Sequence, residues 1–182
     1  NVLVSTFLGG NKRDAVCSLS MGPGEEVYVA GFTESRNYPI TEGAYDRTYN
    51  GAGGYQDDDI FVSKLDKYLS VLMASTFLGG SYTDRCAAIV IDKQKNVFVA
   101  GRTCSDVGAV SDFPITPGAF DKDFDQSISS DGTLSKLNGD LSKLLASTFL
   151  GGSQGKEDRP HALAVDAKGI VYIADRANHR IR

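Results

Sequence analysis

The chain has 182 residues, 41% of them hydrophobic and 23% charged, which is enough for one substantial core and ordinary for a soluble globular domain. Its net charge of −4, with acids and bases interspersed, argues against nucleic acid or an anionic membrane as the main partner. No apolar run reaches the length of a membrane span, and the 20 glycines with no long helical periodicity favour an all-β chain.

One stretch organises the rest. Ser-Thr-Phe-Leu-Gly-Gly occurs at residues 5–10, 75–80 and 147–152, so the chain is built of repeats. Ser, Thr and Phe suit a pleated surface, with Phe7, Phe77 and Phe149 as the packing face. The glycine pair is expected to end the strand by allowing positive φ.

In chain order, residues 1–8 read as a strand, although the chain opens inside the apolar pattern Val2-Leu3-Val4, which points to a processed or partial chain. Residues 15–21 and 27–31 form a hairpin across a turn at 22–25. A long connection follows, carrying Tyr38-Pro39-Ile40-Thr41-Glu42-Gly43-Ala44-Tyr45. Residues 60–65 and 70–77 are two more strands. The second repeat runs the same way, with strands at 87–91 and 97–101, the connection Phe113-Pro114-Ile115-Thr116-Pro117-Gly118-Ala119-Phe120, and strands at 133–137 and 142–149. Thr followed by Glu or Pro predicts a short helical turn in each connection. Tyr38, Tyr45, Phe113 and Phe120 are expected to pin these loops to the sheet. The third repeat has strands at 162–165 and 170–174. Ile89, Ile91, Val97, Val99, Leu163, Val165, Val171 and Ile173 should be buried.

Four antiparallel strands per repeat, with no room for a crossover helix, predict an all-β fold, a β-propeller of four-stranded antiparallel blades, about three of them in this chain. The boundaries are an outer strand at 1–10, one blade at 11–80, a second at 81–152 and a partial blade at 153–182. Counting strands leaves the N-terminal one to complete a blade whose other strands come from another copy of the chain or from the remainder of a longer propeller.

The order Ser-Thr-Phe-Leu-Gly-Gly, Asn-Val-Phe-Val-Ala-Gly-x-Thr, Asp-Phe-Pro-Ile-Thr-Pro-Gly-Ala-Phe-Asp and Val-Ser-Lys-Leu-Asp resembles the bacterial SBBP β-propeller repeat. The end of the chain, from His161-Ala162-Leu163-Ala164-Val165-Asp166 through Ile173 to Arg182, resembles an NHL repeat. The resemblance implies a propeller, commonly on secreted or cell-surface proteins, and no particular chemistry. The function expected is a structural or protein- or glycan-binding module without catalysis.

Several residues are candidates for chemistry. Asp57-Asp58-Asp59 could supply calcium ligands, but reads better as a solvated strand entrance. Asp121, Asp123 and Asp125 have the alternation of a calcium loop, with Asp131 beyond. Gln126 and Gly132 stand where that loop wants Gly and Glu, and a polar loop is the competing reading. His161, after Pro160, resembles a segment bearing a zinc-ligand histidine in peptidylglycine amidating lyase. That suggests a metal-dependent propeller enzyme as the alternative function. A catalytic zinc needs about three protein ligands, and His179 is the only other histidine. His161 therefore reads as lining a channel mouth. The three cysteines do not make a disulfide framework. Cys17 reads as a small buried residue. Cys86 and Cys104 flank a hairpin and are a candidate disulfide. Lys64 and Lys136 recur in Ser-Lys-Leu and read as structural.

Overall fold

The structure is a computed structural model that describes residues 1–51, 57–104, 111–125, 130–151, 158–176 and 178–182. Gly152, Ser153, Gln126 and Ala177 of the motifs above lie outside these residues.

Among the described residues all regular structure is β, with no helix. The first sheet is ordered β1 (Asp14–Met21), β2 (Val27–Thr33), β3 (Asp59–Leu65), β4 (Leu72–Leu78). The second repeats it as β5 (Asp84–Ile91), β6 (Val97–Cys104), β7 (Ser130–Leu137), β8 (Leu144–Phe149). The third has three strands, β9 (Pro160–Val165), β10 (Val171–Asp175) and β11 (Arg180–Ile181). Every pairing is antiparallel. The four-stranded sheets share their register, with Val27 opposite Leu65 in one and Val97 opposite Leu137 in the other. They also share a bulge in the first strand, at Val16/Ser18 and Cys86/Ala88. Gly31 faces that bulge, and only glycine fits there because a Cβ would run into the Ala15 carbonyl and the Phe61 ring.

The first strands β1, β5 and β9 lie side by side. The two larger sheets share one core, in which Tyr28, Ile60, Leu78, Val97, Leu137 and Leu141 are fully buried. Polar contacts stitch the same boundary. The Tyr28 hydroxyl and the Lys64 ammonium both donate to the Gly139 carbonyl, at 3.1 and 3.3 Å. Glu26 sits between Lys64 and Lys95, at 3.7 and 3.2 Å. Lys64 is buried over the Tyr28 ring and Lys136 stands over Phe98, so the recurring lysine packs against a sheet face.

Several expectations need correction. Residues 1–8 are not a strand: they pair with nothing, and Val2, Leu3 and Phe7 are almost wholly exposed. The described glycines of the pairs do not use positive φ; among all described glycines only Gly169 does. Their reason is space, since a Cβ on Gly79 would lie 2.7 Å from Asp84 Oδ2. The two connections carry a single hydrogen-bonded turn, Thr41 to Ala44 and Thr116 to Ala119, rather than a helical one. Thr41 and Thr116 instead clamp the outer strand. Thr41 N–H donates to the Ser75 carbonyl at 3.2 Å, and Ser75 N–H to Thr41 Oγ1 at 3.0 Å, with the same pair of bonds at Thr116 and Ser147. An outer strand's unpaired N–H and C=O groups need such partners.

Tyr38 and Phe113 are buried and Tyr45 packs against the core, but Phe120 is wholly exposed. Tyr45 reaches the next sheet, its N–H donating to the Leu141 carbonyl at 2.8 Å. The third sheet, which lacks a fourth strand, offers Phe120 no corresponding turn among the described residues. The same gap explains the third sheet's core. Ile173 is buried, like Ile89, Val97 and Val99, but Leu163, Val165, Val171 and, in the second sheet, Ile91 are only partly so.

Candidate functional site

The chain crosses from one sheet to the next at a glycine pair followed by an aspartate that opens the next first strand. Asp14 accepts from the Gly10 N–H and Asp84 from the Gly80 N–H, each at 2.7 Å. Asp158 holds the corresponding place in the third sheet, with Arg182 Nη2 at 2.9 Å. A second carboxylate joins from the preceding sheet's third strand. A Cβ on Gly79 would lie 3.2 Å from Asp59 Oδ1 as well as against Asp84, and one on Gly151 2.8 Å from Asp131 Oδ2. Only glycine leaves room for these carboxylates.

The run at 57–59 is therefore not a solvated entrance, because Asp58 and Asp59 are fully buried. Arg85 Nε donates to Asp58 at 2.6 Å, and Asn50 N–H to Asp59 at 2.7 Å. The Oδ1 atoms of Asp58, Asp59 and Asp84 are buried without a hydrogen-bond partner. Burial pushes the Asp59 carboxyl up to about 7 and Asp131 up to about 6, and raises Asp84 well above the carboxylate range.

The predicted calcium loop is taken up with its own turns. Asp123 N–H donates to Asp121 Oδ1 at 3.1 Å, and Asp125 N–H to Asp131 Oδ2 at 3.4 Å. The first connection does the same, Thr48 N–H donating to Asp46 Oδ1 at 2.8 Å. Among the described residues no three His, Cys, Asp or Glu are grouped so as to hold a metal ion.

The cysteines pair differently from the expectation. Cys86 lies opposite Gly101, while Cys104 lies at the far end of β6 opposite Ser130, so the hairpin register keeps them apart. All three thiols are free. Cys17, exposed on β1, lies beside Cys86 on the neighbouring first strand, and their interaction lowers the Cys17 thiol and raises the Cys86 thiol, which burial raises further.

His161 does line an opening. A cavity of about 270 Å³ is walled by Phe32, Arg85, Cys86, Ala87, Gly101, Arg102, Arg159, Pro160, His161 and Arg176. It lies where β5, β6, β9 and the ends of β2 and β10 meet. None of its arginines stands out in the sequence, although Asp-Arg recurs at 84–85 and 158–159, each time after a glycine pair. That recurrence is the signal that could have found Arg85 and Arg159.

Residues 158–182, a small part of the chain, match the NHL repeat family. They comprise the whole three-stranded sheet. Among curated proteins none matches the chain.

Proposed function

We propose that the chain is a segment of a β-propeller of SBBP and NHL type, serving outside the cell or on its surface as a non-catalytic structural or binding module. The observation that carries this reading is the repetition of one four-stranded sheet in one register, with the first strands packed side by side. A radial stack of such sheets is how propellers are built. The NHL match at 158–182 supports the same architecture for the last sheet. Localisation rests on the resemblance of residues 5–150 to repeats of secreted and surface proteins. Protein or glycan is the partner class that such a module serves.

The unpaired copy of the hexapeptide completes the picture. At residues 75–78 and 147–149 the same sequence lies in the outer strand of a sheet. Residues 5–8 take that outer place in a sheet whose inner strands come from a second copy or from further sequence. Sedimentation of the intact chain and of a chain lacking residues 1–8 tests this. The intact chain should self-associate, or bind added flanking sequence, and the shortened one should do neither. Equal behaviour of the two overturns it.

The enzyme alternative would need a metal that the described donors do not hold together. Metal analysis of the purified protein decides between the classes: stoichiometric zinc accompanied by lyase activity would reverse the reading.

A further inference from the structure

Among the described residues, the cavity beside His161 has four arginines in its wall and not one Asp or Glu, in a chain where 23 acids outnumber 19 Lys and Arg. The arginines are not scattered there by chance of folding. Arg85 and Arg102 are directly opposite each other across the β5–β6 ladder. Arg176 N–H donates to the Arg159 carbonyl at 3.2 Å, which sets the second two side by side at the ends of β9 and β10. Like charges facing across strands are destabilising. Arg85 is compensated within the protein by Asp58. No ion pair is made by Arg102 or Arg176 among the described residues.

We propose that this cavity binds an oxyanion group, a carboxylate, sulfate or phosphate, carried by a small ligand or by the end of a larger one. Arg102 and Arg176 are the principal donors, approaching from the second and third sheets. Guanidinium groups suit this task because their planar fork meets two oxygens of one centre at once. Phe32 gives the site an apolar wall, its ring already flanked by the Arg85 and Arg13 guanidiniums at 4.9 and 5.0 Å, and Pro160 and Ala87 extend it. The preferred ligand therefore bears its anion on a body with an apolar face, as an acidic sugar does. The volume is at the low end for ligand pockets, of the order of 300 Å³, and so admits one such group. This inference extends the binding-module reading and rests on the cavity, not on how the outer strands are completed.

Calorimetric titration in low-chloride buffer with inorganic phosphate, inorganic sulfate and glucuronate, with glucose as the neutral control, tests it. At least one oxyanion should bind, and binding should weaken as salt is added. Glucuronate tighter than both inorganic ions would identify an acidic sugar as the source; the reverse order would identify the free ion. The Arg102→Gln/Arg176→Gln double variant should lose roughly tenfold or more in affinity. Arg36→Gln, which removes a guanidinium stacked on Tyr49 outside the cavity, should change nothing. Unfolding midpoints of both variants, recorded alongside, separate lost binding from lost folding. If no oxyanion binds, or the folded double variant binds as well as the parent, the proposal is wrong. Binding of glucose alone would also overturn it, while leaving the binding-module reading in place.

Discussion

Residues 75–80 and residues 5–10 have the same sequence and opposite fates. In the first, Ser75 to Leu78 run along β3, Phe77 faces Phe61, and all six residues are buried. In the second, Phe7 is wholly exposed and only Leu8 touches a core cluster. The difference lies outside the six residues. Residues 75–78 have β3 on one side and the Thr41 clamp near Ser75, whereas residues 5–8 have neither. Strand propensity is thus permissive here, and the partner decides whether the strand forms.

The sharpest way to break this comparison is to truncate the shared phenylalanine in each place. Phe77→Ala should cost about 3–5 kcal/mol, because it empties a site shared with Phe61, Tyr38 and Tyr49. Phe7→Ala should stay within about 0.5 kcal/mol in the same urea titration of the isolated chain. A comparable loss at both positions would mean that residues 5–8 are packed in solution.

The turn that ends the hexapeptide offers a second test. Asp59 sits under Gly79 with its carboxyl raised by burial first, and by the neighbouring charges of Asp46 and Asp112, while the Asn50 N–H opposes the shift. Asp84 is buried beside it, and Arg85 is held by Asp58. A carboxyl raised in the folded state contributes stability that is full below the unfolded value near 4. That contribution is lost as pH rises through about 7. Asp59→Asn, which cannot ionise, should therefore gain on the parent between pH 4 and pH 8, by up to about 4 kcal/mol at 1.4 kcal/mol per pH unit. Urea midpoints of both proteins at the two pH values measure this; a difference that does not change with pH would show that Asp59 titrates normally.

The smallest effect concerns the loops. Tyr45→Ala should cost about 1–2 kcal/mol, because Tyr45 bridges to the second sheet. Phe120→Ala, at the same place in the next repeat, should be neutral in the isolated chain. If completion of the third sheet covers Phe120, its truncation should become costly only in the assembled protein, which thermal melts of the two forms would reveal.

Much of the fold was legible in the sequence because repetition and alternation are local properties. The hairpins at 15–21/27–31 and 87–91/97–101, the order of strands in each repeat and the structural role of Lys64 could all be read from residue type and spacing. Only tertiary structure decided what depends on neighbours distant in the chain. The glycine pairs are required by the room that Asp59 and Asp84 need, not by backbone conformation. Asp58 and Asp59, polar and adjacent, are buried because Arg85 and the Asn50 N–H come from elsewhere to meet them. Cys86 meets Cys17 and not Cys104, since the β5–β6 register sets Gly101 opposite it and the sheet boundary sets β1 beside it. The four arginines of the cavity are far apart in the chain at 85, 102, 159 and 176, and it is the packing of β5 against β9 that gathers their charge into one wall.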